Sequence, residues 1–144
     1  MGTRHASRML ALQALYALEM NPEALAADVI ASARAEAGDG AVDAEFLEGL
    51  VKGAWAERGR LDRLLEKASK HWRLDRMDRI DKSILRLALF ELLHTPETAA
   101  PVVLDEGIEL AKEFGTPDSS SFINGILDRL AREVRPEEFP SRGS

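Results

Sequence analysis

The chain has 144 residues, a formal net charge of −6 and no cysteine. Its length suits one domain with a sizeable core, while the absence of cysteine excludes disulfides, thiolate metal sites and cysteine nucleophiles. Nor does any apolar run span a bilayer or resemble a signal peptide, so a cytoplasmic location with no membrane association is expected.

Periodicity predicts helix throughout and strand nowhere. A first helix is expected from Thr3 to about Met20, with Met9, Leu12, Leu15, Tyr16 and Leu18 toward the core. Its start carries Arg4, His5 and Arg8, cationic groups that oppose the helix dipole. Either an anionic partner compensates them or the terminus frays. Tyr16 reads equally as a core residue with a satisfied hydroxyl and as a ring offered for stacking. Asn21 and Pro22 read as the cap and first residue of a second helix that runs to about Ala37, burying Leu25, Val29, Ile30 and Ala33. Gly38-Asp39-Gly40 then breaks the chain. Asp43 caps a third helix with an apolar stripe of Phe46, Leu47, Leu50, Val51, Ala54 and Trp55, in which Gly49 and Gly53 permit close approach of another helix.

Residues 58–86 carry ten Lys/Arg against five Asp/Glu, between two acidic flanks. Such a block is either a basic stripe that attracts a polyanion or a solvated surface of local ion pairs. A helix from Leu61 to about His71 and a short turn over Leu74 to Met77 lead into a segment from about Asp78 to His94. Ile80, Ile84, Leu85, Leu87, Ala88 and Leu92 make that segment apolar on more than one face, as a central helix must be. Glu91, in so apolar a setting, requires an arginine or a helix N-terminus as partner. Pro96 ends this helix, and Pro101 opens the next, whose buried side is Val103, Leu104, Ile108, Leu110 and Ala111.

The corner from Phe114 to Asp128 is the most informative stretch. Gly115 is placed for the left-handed conformation that ends a helix, Pro117 cannot continue one, and Thr116 or Asp118 can cap a final helix reaching about Val134. Ser119, Ser120, Ser121 and Phe122 offer hydrogen bonds to a phosphate and a ring for a base. Asp118 argues against a simple phosphate cup. The plainer alternative is a capped helix with Phe122 packed beside Ile123, Ile126, Leu127 and Leu130. Residues 135–144 are expected to be a disordered tail.

The three histidines, His5, His71 and His94, lack metal-ligand spacing, and no Walker loop, GxGxxG or GxSxG is present. No metal, no cofactor and no enzymatic activity are expected.

Gln13-Ala14-Leu15-Tyr16, the run from Ile84 to Leu92, and Glu106 to Gly115 continuing into Asp118-Ser119 and Phe122 to Asp128 resemble the bacterial transcription antitermination factor NusB family over roughly residues 4–134. The resemblance implies an all-α fold of seven helices in two packed small bundles, here a three-helix part over about 3–70 and a second part over about 71–134. It also implies binding of boxA single-stranded RNA from ribosomal RNA leaders, together with ribosomal protein NusE, in a complex with RNA polymerase and other Nus factors. By this likeness the RNA face comprises Arg4, His5, Arg8, Tyr16, Lys82, Asp118, Ser119 and Phe122, while Asp81 and Arg86 lie toward the protein partner. The stretch Thr3 to Arg8 is poorer in arginine than is common in the family, so weaker RNA binding by this subunit alone is expected. A protein adaptor or homodimer module that never touches RNA is the alternative. A NusB-like domain also precedes the catalytic domain of some ribosomal-RNA cytosine methyltransferases, but these 144 residues leave no room for a Rossmann unit.

Overall fold

A computed structural model describes residues 3–38, 40, 42–69 and 77–139. The elements are α1 (Thr3–Met20), α2 (Ala26–Ala37), α3 (Ala44–Ala56), α4 (Arg58–Ala68), α5 (Arg79–His94), α6 (Ala100–Phe114) and α7 (Ser119–Val134), and no strand occurs among the described residues. The expected turn over Leu74 to Met77 and the residue His71 fall largely outside the described residues.

α1 packs on α2 and α3 to form one bundle, while α5, α6 and α7 pack on one another to form a second. α4 lies against α3, α5 and α7. The bundles meet where α1 and α3 lie on α5, and α5 is central, as its apolar breadth predicts: Ile84, Leu85, Leu87, Ala88, Leu89 and Leu92 are all buried. Ion pairs give the sense of packing. Arg8 reaches Glu91 at one end, and Glu19 reaches Lys82 and Arg86 at the other, so α1 and α5 run antiparallel.

Local chemistry sets most boundaries. The Asp43 carboxylate accepts from the Phe46 N–H at 3.1 Å and starts α3, as expected, and Asp78 does the same for α5 through the Ile80 N–H at 2.7 Å. Pro101 sits in the first turn of α6. The second helix departs from expectation. Asn21 and Pro22 lie in a turn closed by the Ala24 N–H to Asn21 carbonyl bond, α2 starts only at Ala26, and Leu25 is 69% exposed. A Pro after an Asn opens a turn as readily as a helix.

Gly115 is also corrected. Its φ of −94° and ψ of −167° are extended, not left-handed. Glycine is required there for space, because a Cβ would stand 2.6 Å from the Ser119 Oγ and 2.8 Å from the Ala111 carbonyl oxygen. Nor is the chain after Arg135 disordered throughout: Pro136–Glu138 form a 3₁₀ turn, and Arg135 is buried. Its guanidinium donates to the carbonyls of Leu92, Glu91, Thr95 and Thr98, at the end of α5 and in the turn that follows it. Glu138 in turn accepts from the Ala100 N–H at 2.9 Å and caps α6. Residues 140–144 lie outside the described residues.

The glycine pair of α3 separates into two roles. A methyl at Gly53 would strike the Phe90 ring of α5, whereas Gly49 has nothing within 4 Å. Gly53→Ala should therefore destabilise the protein by roughly 1–3 kcal/mol through overpacking, and Gly49→Ala should stabilise it by roughly 0.5–1 kcal/mol through helix propensity. Urea unfolding of both variants checks this; equal effects would contradict the assigned contact.

Candidate nucleic-acid and partner interface

Three neighbourhoods hold the predicted site residues. The first is the start of α1. The Arg4 guanidinium lies over the Phe46 ring, 4.2 Å from its centroid, and 3.9 Å from the Asp43 carboxylate, with 46% of its side chain exposed. The His5 Nδ1 lies 2.7 Å from Glu106 Oε2, and this side chain too is partly exposed. Arg8 goes the other way. It is 3% exposed, donates to both oxygens of Glu91 at 2.7 and 2.8 Å, and donates to Glu106 at 3.0 Å. Burial disfavours its charge, but the hydrogen bonds and charges of Glu91 and Glu106 outweigh that and raise its pKa, so it stays a cation. Arg8 is thus a bridge between α1, α5 and α6 and not a surface contact for RNA. Extending the Leu12 and Leu15 stripe back one turn lands on Arg8, a signal that pairs naturally with the lone acid Glu91.

The second neighbourhood joins α1, α4 and α5. Arg86, 5% exposed, donates to both Asp62 oxygens at 2.7 Å and to Glu19 at 2.6 Å, which removes it from any partner surface. Lys82 Nζ lies 2.8 Å from Glu19 Oε1 with 15% of its side chain exposed. Burial pushes the Glu19 carboxyl up, yet the hydrogen bonds from Lys82 and Arg86 prevail and hold it below its ordinary value. Glu19, Asp62 and Glu106 escaped the sequence reading, since nothing local marks a surface acid as half of a long-range pair. Tyr16 is half-buried, between the two roles weighed for it.

The third is a cleft of about 210 Å³ lined by Met77, Asp78 and Asp81 at the start of α5 and by Thr116, Asp118, Ser119 and Phe122 at the α6–α7 corner. Asp118 occupies the N-cap position of α7 without capping through its side chain. Ser119 is 1% exposed; its Oγ accepts from the Thr116 N–H at 2.9 Å and lies 3.1 Å from the Thr116 hydroxyl. It is therefore a structural hinge of the corner and not a free phosphate donor. Phe122 is half-buried: it packs against the hydrophobic core and also forms part of the cleft wall.

Because α1 and α5 are antiparallel, these neighbourhoods lie apart. Arg4 and Glu19 are separated by roughly 22 Å along α1, at 1.5 Å per residue. A cationic end and an acidic cleft at opposite ends of one helix pair, on an all-helical two-bundle scaffold, define a helical binding module. The NusB family model matches residues 5–132. The transcription antitermination protein NusB of Myxococcus xanthus (strain DK1622) is 46% identical over 134 residues, covering 91% of this chain and 96% of that protein. That of Geotalea uraniireducens (strain Rf4) is 43% identical, covering 96% of this chain and 100% of its own. A solved structure of T. maritima NusB superposes with a TM-score of 0.82 at 29% identity, covering 94% of this chain and 95% of that one. The chain belongs to the NusB family. Its fold is also shared, at 23% identity and a TM-score of 0.82 over 92% of this chain and 98% of that one, by a crystal structure of antitermination factors NusB and NusE in complex with dsRNA.

Breaking the buried pair with Arg8→Ala or Glu91→Ala should destabilise the protein by about 3–5 kcal/mol, and replacing both residues by apolar side chains should cost less than either single change. A double-mutant cycle by chemical denaturation checks the coupling. Glu19 yields a pH prediction. Its folded pKa is depressed, so its contribution is present above the ordinary value of 4.5 and lost as pH falls through the lower folded value. Glu19→Gln should lower the melting temperature at neutral pH, and the gap to the unmodified protein should close on acidification; a gap constant with pH would refute the linkage.

Proposed function

We propose that this chain is a non-enzymatic, cytoplasmic RNA-binding antitermination subunit that binds boxA single-stranded RNA together with ribosomal protein NusE and joins RNA polymerase with other Nus factors. The observation that carries the reading is the exposed cationic start of α1, where Arg4 and His5 stand on a base locked by Arg8, within a chain of the NusB family. Support also comes from the relative solved with NusE and dsRNA, which has the same fold.

Along α1, Arg4 and His5 at one end and Tyr16 and Lys82 toward the other would track a single strand. Phe122 and Asp118 lie past Lys82, where RNA and the protein partner would meet around Asp81. Arg8, Ser119 and Arg86 act underneath, by positioning. Among the described residues, Lys82, Arg8 and Arg86 are held by carboxylates. That same observation favours the second reading, a protein adaptor or homodimer module that leaves RNA to its partner.

A titration of boxA single-stranded RNA, with and without NusE, separates the two. Two phosphate contacts would give a salt slope of about −1.4, shallow for a nucleic-acid binder. Replacing both Arg4 and His5 by alanine should weaken RNA binding and flatten that slope. Unchanged affinity in the doubly substituted, folded protein would leave the adaptor reading standing.

A further inference from the structure

Of the helices in the first bundle α2 buries the fewest side chains, Ile30 and Ala33. Along its seam with α1 two hollows of about 310 and 430 Å³ lie end to end, with Gln13 and Glu36 in the walls of both. Small residues make the room. Ala14, Ala17 and Ala33 line the first hollow, and Met9, Leu10 and Val42 give the second its apolar walls. No lysine or arginine lines either hollow, whereas Asp28 and Glu36 do, and no ion pair engages those two among the described residues. Beyond Ala17 and Asp28 the α1–α2 turn carries Met20, 53% exposed, and Leu25, 69% exposed, two of the three exposed large hydrophobics among the described residues. Apolar surface gathered beside a groove marks a place for a partner.

We propose that the α1–α2 groove is a docking site for a basic amphipathic helix of a protein partner, its apolar side chains seated in the two hollows and its cations paired with Asp28 and Glu36. The walls select a helix. Apart from Gly40 and Val42 they are helical, with backbone groups already bonded, so an extended segment would bury N–H and C=O groups without partners, whereas a helix brings its own satisfied. The spacing agrees. Asp28 and Glu36 stand about 12 Å apart along α2, at 1.5 Å per residue, so cations two turns apart on a helix laid along the groove reach both. Charge decides against RNA, because carboxylates with no base among them repel a phosphate backbone. A second copy is a poor occupant too. In this chain α4 has the required pattern, Arg60 and Lys67 around Leu61 and Leu65, but both leucines are 0% exposed in the core. The groove is distinct from the cationic start of α1 and from the α6–α7 corner, so it adds a third surface to the two that the proposed function uses.

The test is an NMR titration of the full chain with two designed peptides of about 16 residues, long enough to hold a helix. Both carry leucines at helical spacing; one has arginines two turns apart, and the other has glutamates in their place. The arginine peptide should shift the amides of residues 6–17 and 28–37 saturably, with the glutamate peptide weaker by about tenfold. Reversing both carboxylates, Asp28→Lys with Glu36→Lys, should invert that preference in a protein that stays folded, since both side chains are exposed. A non-specific apolar contact would not invert. Equal binding of the two peptides, binding of neither, a preference unchanged in the reversed variant, or shifts confined to other helices would each overturn the proposal. So would displacement of the arginine peptide by boxA RNA, which would make the groove part of an RNA face, or shifts of the same amides with protein concentration alone, which would make a second copy the occupant.

Discussion

The Arg8–Glu91 pair is the joint on which the molecule turns. α5 is contacted by α1, α3, α4, α6 and α7, and Glu91 sits near its C-terminal end among leucines. A carboxylate in that position is tolerable only with a charge brought to it. Arg8 provides one through two hydrogen bonds, and its third, to Glu106, extends the clamp to α6. At the far end of α1, Glu19 reaches Lys82 and Arg86, and Arg86 reaches Asp62 of α4. An apolar seam between two helices tolerates several registers, whereas a seam with directional charged pairs at both ends tolerates one. The two bundles are thereby held in a single relation, although most of the burial energy comes from the leucines between the clamps.

This arrangement decides which charges remain for binding. The basic segment 58–86 invites the idea of a continuous cationic stripe, but Arg86 is consumed internally, Lys82 is shared with Glu19, and Arg58 lies over the Trp55 ring. The exposed cations at the start of α1 are also moderated: Arg4 by Asp43 and Phe46, His5 by Glu106. A surface so balanced has a weak long-range field, so recognition must come from shape and a few close contacts. It also reconciles the proposed nucleic-acid face with a net charge of −6: several acids are spent neutralising the cations that join the helices.

What the sequence disclosed follows a physical division. Helices α1, α3, α5, α6 and α7 were readable because their stripes repeat at helical period and Asp43, Asp78 and Pro101 mark their starts. Partner requirements were readable too, as Glu91 called for an arginine or a helix N-terminus from sequence alone. Which arginine was not, because Arg8 and Glu91 are 83 residues apart and only the fold brings them together. Arg135 was misread for the same reason: charged and beyond the last helix, it has the composition of a tail, yet four carbonyls of the α5–α6 turn are waiting for it. The polar corner shows the limit most clearly. Ser119 has the chemistry of a phosphate donor and the position of a cap, and the fold spends it on Thr116.

Among the described residues, Asp81 Oδ1 and Ser83 Oγ, both on α5, are buried without a hydrogen-bond partner. Asp81 stands in the first turn of α5, where the helix dipole favours an anion. That contribution is modest beside the penalty of burying Oδ1 unpaired. A loosely held helix would relieve that strain by turning the side chain out to water. α5 cannot, since Arg8, Glu19, Asp62 and Arg135 fix it along its whole length. The same clamps that unite the bundles therefore hold an unsatisfied acceptor in place beside the cleft at the α6–α7 corner.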